Sequence, residues 1–105
     1  MNQEKSSIII KTIIQGYNPQ KIIVFGSYAR NEAKENSDLD LLIIKETEES
    51  YYQRPATVRS IFAKQPGAMD ILVYTPKEFE EQKSEINNIV NIAVKTGVVV
   101  YEKSA

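Results

Sequence analysis

The chain has 105 residues, 42% of them hydrophobic and 26% charged, with a formal net charge of −1. That is one domain of ordinary soluble composition, residues 1–105, without the basic surplus that nucleic-acid binding usually calls for. With neither cysteine nor histidine, disulfides, zinc-thiolate sites, thiol nucleophiles, imidazole bases and the Ser-His-Asp triad are excluded. No apolar run approaches the roughly 20 residues needed to cross a bilayer, and no small-residue cleavage site follows the N-terminal stretch, so the expected location is cytoplasmic.

In chain order, Ser7 to Gln15 places Ile9, Ile10, Ile13 and Ile14 at helical spacing, and Gly16 with Asn18-Pro19 should stop that helix. KIIVF (21–25) reads as a strand, Gly26-Ser27 as its punctuation, and YARNEAKE (28–35) as a short helix. Asn36 and Ser37 lead into a second strand, LDLLIIK (39–45), and ETEES (46–50) is most simply a solvated loop. Tyr51-Tyr52 reads as a loop anchor. Pro55 suits the first turn of a helix carrying Val58, Ile61 and Phe62 on one side, ended by Pro66-Gly67. MDILVYT (69–75) is a third strand. Thr75-Pro76-Lys77-Glu78 is a helix start, with threonine as cap and an acid in the first turn. A further helix carries Ile86, Ile89, Val90 and Ala93 until Gly97, and VVVYE (98–102) closes the chain as a strand able to lie at a sheet edge and pair. Strands alternating with helices make the fold class α/β, but strand order and direction do not follow from the pattern.

Asp38 and Asp40 frame the mouth of the second strand. Positions i and i+2 of a strand share a face, about 6.6 Å apart, so the two acids project together while Leu42 and Ile44 continue that face into the core. Neighbouring carboxylates raise each other's pKa unless a cation lies between them, and a hard divalent ion prefers oxygen ligands. Asp70 opens the third strand in a similar setting. If the two strands lie close, the three acids could hold two metals, an arrangement suited to in-line displacement at phosphorus.

Gly26 permits a tight turn and close approach of a ligand, while Ser27 at a helix start would face phosphate with free N–H groups. A triphosphate could then rest on Gly26-Ser27, with metals on the acids neutralising its charge. Taken singly, each feature has a plain structural reading: a cap for Gly-Ser, a solvated loop end for Asp-x-Asp, a surface residue for Asp70. Arg30 is either a solvated helix residue or a phosphate partner. The functional reading rests on their joint occurrence.

Gly26-Ser27 within FGSYAR, ten intervening residues, then Asp38-Leu39-Asp40 within SDLDLL resembles the signature of the DNA polymerase beta-like nucleotidyltransferases, in particular the minimal nucleotidyltransferases (MNT). NPQKIIVFGSYARNEA, MDILVYTPKEFEE and the closing helix with VVVYE extend the resemblance over nearly the whole chain. Where the family often has glycine after Ala-Arg, this chain has Asn31, a residue that tolerates a left-handed backbone. The resemblance implies a single nucleotidyltransferase domain with a mixed sheet flanked by helices. It implies ATP as substrate with Mg²⁺, or alternatively Mn²⁺, as cofactor, and transfer of AMP to an acceptor hydroxyl with release of pyrophosphate. Gly26, Ser27 and Arg30 would bind the nucleotide. Asp38, Asp40 and Asp70 would be catalytic and hold the metal, Asp70 also helping to deprotonate the acceptor. The implied partner is a HEPN-family toxin modified on a tyrosine, the chain acting as antitoxin. The alternative is an antitoxin that neutralises its partner by contact without catalysis. A homo-oligomer is compatible with both readings. Transfer to a small molecule or to nucleic acid ranks lower, for want of an acceptor-binding domain.

Overall fold

The computed structural model describes residues 3–34 and 37–104; Glu35 and Asn36, at the end of the expected second helix and its lead-out, lie outside the described residues. The elements run α1 (Gln3–Tyr17), β1 (Lys21–Phe25), β2 (Leu39–Ile44), α2 (Arg54–Arg59), β3 (Met69–Tyr74), α3 (Pro76–Gln82), α4 (Ile89–Thr96) and β4 (Val98–Glu102). The four strands form one sheet in the order β3-β2-β1-β4. β1 is antiparallel to both neighbours, whereas β2 and β3 are parallel, joined by the crossover that contains α2. The expected α/β class and mixed sheet are therefore what the chain builds.

Period-two alternation sorts the strand residues into two cores. Ile22, Val24, Leu39, Leu41, Ile43, Ile71 and Val73 pack with Ile9, Ile13 and Tyr17 of α1 and Val58 of α2. Ile23, Phe25, Leu42, Ile44 and Tyr74 pack on the other face with Phe79 of α3 and Val90 and Ala93 of α4. β2, buried on both faces, is accordingly an almost unbroken apolar run. Among the described residues no helix is long and apolar enough to cross a membrane.

Several boundaries differ from the sequence expectation, each for a local reason. α1 runs through Gly16 and stops at Asn18, whose φ of 53° and N–H bond to the Ile14 carbonyl (3.2 Å) form a left-handed cap before Pro19. Gly16 is small for packing instead: a Cβ there would lie 3.5 Å from two atoms of Ile61 and overlap a third, Cγ2. α2 ends at Arg59, leaving Ile61 and Phe62 in the following turn, still packed on the first core. The start of α3 follows expectation, as a capping box in which Thr75 and Glu78 exchange side-chain and backbone bonds. Ile86 lies outside α4, which Asn88 caps, and is 81% exposed. Gly97 ends α4 in an extended conformation (φ −91°, ψ 175°); its Cβ would sit 2.7 Å from Ile23 Cγ2 and 2.8 Å from the Val24 carbonyl, so closeness to β1 selects glycine there. The ETEES loop is tied down at Glu49, whose carboxylate accepts from Thr57 (2.6 Å) and whose carbonyl accepts from Arg54 (3.0 Å). Tyr51 anchors that loop against Tyr74, ring to ring at 5.3 Å, whereas Tyr52 is 89% exposed. β4 lies at a sheet edge as expected, with Val98, Val99 and Val100 exposed.

Candidate active site

Over its described residues, 28–34, the expected helix is a single turn. Its closure is a helix-ending motif in full: the Glu32 N–H bonds to the Ser27 carbonyl (2.8 Å), and the Asn31 N–H to the Tyr28 carbonyl (3.3 Å). Asn31 occupies the left-handed position with φ 59°, the conformation that glycine would supply and asparagine tolerates. Beyond this turn the described residues run without helix to β2, which starts at Leu39 and returns antiparallel to β1. Ser27 thus heads one turn, with little accumulated helix dipole to offer an anion.

Gly26 itself has φ 73°, and a Cβ added there would overlap Asp40 Oδ2, with Asp40 Cγ only 3.1 Å away. The Gly-Ser turn and the first strand acid are built against each other, so glycine is required twice, for its backbone and for its missing side chain. Register completes the arrangement. Asp40 is opposite Phe25 across the antiparallel pair and opposite Asp70 across the parallel one. Asp40 and Asp70 therefore share the face of the second core, at the strand mouths. Asp38, two residues before Asp40, is exposed, as is Asp70; Asp40 is half-buried.

The electrostatics record this crowding. Burial raises the Asp40 pKa above its ordinary value, the Asp70 and Asp38 charges raise it further, and Arg30 opposes them. Arg30 is itself exposed and pairs with Glu32, Nε to carboxylate at 3.2 Å. Among the described residues no three acidic side chains are already gathered closely enough to hold a metal ion. The donor set nonetheless fits a hard divalent cation: three carboxylates, two of them exposed and free to turn, around a third whose charge is penalised. The sequence reading had no sign of two further contacts at this end of the sheet. Glu32 holds Arg30, and Arg59 of α2 donates to the carbonyl of Met69, the residue before Asp70 (3.0 Å). The first is local, set by the turn that brings residues two apart together, whereas the second depends on α2 packing beside β3.

This fold and site define a class, and sequence comparison identifies it: the family model described as nucleotidyltransferase domain matches residues 7–103. The chain belongs to the nucleotidyltransferase domain family. A protein of Methanocaldococcus jannaschii, provisionally named the protein adenylyltransferase MJ1215, is 38% identical over 45 residues. That match covers 43% of this chain and 45% of the relative, less than half of its length. Among solved structures, a provisionally named nucleotidyltransferase of Sulfolobus solfataricus superposes with a TM-score of 0.65 at 19% identity, over 95% of this chain and 79% of that one. A toxin-antitoxin structure with AMP-PNP gives a TM-score of 0.65 at 19% identity, over 98% and 75%. The complex of a tri-AMPylated Shewanella oneidensis HEPN toxin with its MNT antitoxin gives 0.60 at 17%, over 98% and 74%. At these identities the likeness is one of fold.

Proposed function

We propose that this chain is a Mg²⁺-dependent nucleotidyltransferase that moves AMP from ATP to a tyrosine hydroxyl of a partner protein, and so acts as antitoxin to a HEPN-type toxin in the cytoplasm. The observation that carries the reading is the in-register placement of Asp40 and Asp70 beside a glycine turn packed on Asp40, within a nucleotidyltransferase domain. The toxin-antitoxin neighbours and the adenylyltransferase relative support the choice of acceptor and role.

Asp38, Asp40 and Asp70 would hold the cation. When bound, Mg²⁺ (or Mn²⁺) supplies charge neutralisation at the phosphates and polarises the reacting oxygens. Gly26 lets the turn close directly on the Asp40 carboxylate, and the backbone of Gly26 and Ser27 would receive the phosphates beside it. Arg30 provides a mobile positive charge for the triphosphate, exchanging its exposed pairing with Glu32 for a phosphate oxygen. Asp70 takes the proton of the acceptor hydroxyl. The hydroxyl oxygen then forms the new bond to the α-phosphorus, and the bond from that phosphorus to the bridging oxygen breaks. Pyrophosphate departs with the electron pair.

The experiment is label transfer from α-phosphate-labelled ATP and Mg²⁺ to proteins of a source lysate or to a candidate HEPN partner, with Asp38→Ala/Asp40→Ala as control. A labelled protein band lost in the control supports the proposal. Absence of label in every protein, nucleic-acid and small-molecule fraction, from folded protein, sinks it. The second reading, neutralisation by contact alone, is favoured by the exposed Val98, Val99 and Val100 at the open sheet edge. Full neutralisation by the transfer-dead control would select it.

A further inference from the structure

β3 forms one edge of the sheet, with β2 on its inner side. The carbonyls of Ala68 and Tyr74 point inward, accepting from the N–H groups of Leu39 (3.0 Å) and Lys45 (2.9 Å). Strand alternation then turns the carbonyls of Met69, Ile71 and Val73 outward, where no strand among the described residues meets them. α2 supplies donors to two of them. Arg54 Nη1 donates to Val73 (3.1 Å) and Arg59 Nη2 to Met69 (3.0 Å). The two arginines differ in everything else. Arg54 is buried, grips Glu78 at 2.7 Å and belongs to the core at the far end of the strand. Arg59 is half-buried and lies at the mouth, on the peptide that joins Met69 to Asp70.

What precedes Met69 gives the mouth little other support. Residues 63–65, 67 and 68 are exposed, and Gly67 has φ 147°. On the inner side the strand is first held at Ala68; on the outer side Arg59 faces that bond across Met69. We propose that Arg59 is a positioning residue: by clamping the Met69 carbonyl it keeps Asp70 in register opposite Asp40, so that the two carboxylates can share one divalent cation. This inference rests on the nucleotidyltransferase reading for the use made of that cation, but the clamp itself is a statement about cation affinity.

The test compares wild type with Arg59→Met, Arg59→Leu and Arg59→Lys. Mn²⁺ affinity of the nucleotide-free protein is read from the signal of the free ion by electron paramagnetic resonance. Asp40→Ala and Asp70→Ala report which binding belongs to the pair. Loss of the clamp should weaken Mn²⁺ about tenfold, as removal of groups that orient metal ligands does. kcat for label transfer should fall by a similar factor, with KM for ATP within about twofold of wild type. Lysine, which still donates, should recover most of both, and the melting temperature of the clamp-loss variants should fall by about 4–8 °C, as one lost hydrogen bond implies, leaving the protein folded. Wild-type Mn²⁺ affinity in folded Arg59→Met overturns the proposal; should that variant not fold, Arg59→Leu, which likewise cannot donate, decides the same comparison. If wild type binds Mn²⁺ through Asp40 and Asp70 but transfers no label, the enzymatic reading fails while the Mn²⁺ series still judges Arg59. Wild-type binding no tighter than that of Asp40→Ala overturns the clamp's purpose directly.

Discussion

Gly26→Ala separates two costs that the structure places at one atom. The first is conformational: a backbone at φ 73° costs a residue with a Cβ about 1–2 kcal/mol. The second is steric, because the new methyl overlaps Asp40 Oδ2 and meets Cγ at 3.1 Å and Cβ at 3.5 Å. Only the carboxylate must move, and Asp40 is half-buried, so the low end of overpacking penalties applies, about 1 kcal/mol. The expected loss is roughly 2–3 kcal/mol, or a fall in Tm on the order of 10 °C for a domain of this size. In an Asp40→Ala background the overlap is gone and only the conformational cost, about 1–2 kcal/mol, should remain. Urea unfolding of wild type, the two single variants and the double variant therefore yields a coupling energy near 1 kcal/mol. Identical costs in both backgrounds would refute the close approach, and a cost below about half a kcal/mol would refute the left-handed turn as well. Label transfer offers an independent reading, since a displaced Asp40 should abolish it even where the variant remains folded.

Asp40→Asn removes a half-buried charge opposite Asp70, so metal-free protein should gain about half a kcal/mol at neutral pH while losing transfer; thermal unfolding in a chelating buffer shows the sign. Glu78 has its pKa lowered below the ordinary 4.5, chiefly by the hydrogen bond from Arg54. Its stabilising contribution is therefore fully present above pH 4.5 and lost as pH falls through the lowered value. Glu78→Gln should cost about 2 kcal/mol at pH 7 and little in strong acid, so the unfolding curves of the two proteins should converge as pH drops. Gly97→Ala, at a position without backbone strain but against the carbonyls of Ala93 and Val24, should cost about 2 kcal/mol because backbone cannot step aside; a neutral result in urea would show that β4 can shift.

Much of this protein was legible locally. The short apolar runs set all four strands, because period-two burial between two helical layers admits few other residues at β1, β2 and β3. Thr75 and Glu78 announced the start of α3 because a capping box is chemistry between residues three apart. Asp38, Asp40 and Asp70 stood out because charge at the mouth of an apolar strand is unfavourable without a purpose. What neighbours in sequence could not decide was anything set by residues meeting across the fold. Gly16 reads as a helix stop and is a contact for Ile61; Gly97 caps α4 as the sequence suggests, but closeness to β1 is what leaves no room for a side chain there. YARNEAKE has helical propensity, yet its described residues make one turn, closed by the left-handed Asn31 and the bond from Glu32 back to Ser27. The parallel pairing that sets Asp70 opposite Asp40 depends on a crossover whose direction no local pattern encodes. Arg59 takes its place for the same reason: an arginine in a helix is a surface charge by every local rule, and becomes a clamp only where the fold leaves an edge carbonyl unpaired within its reach.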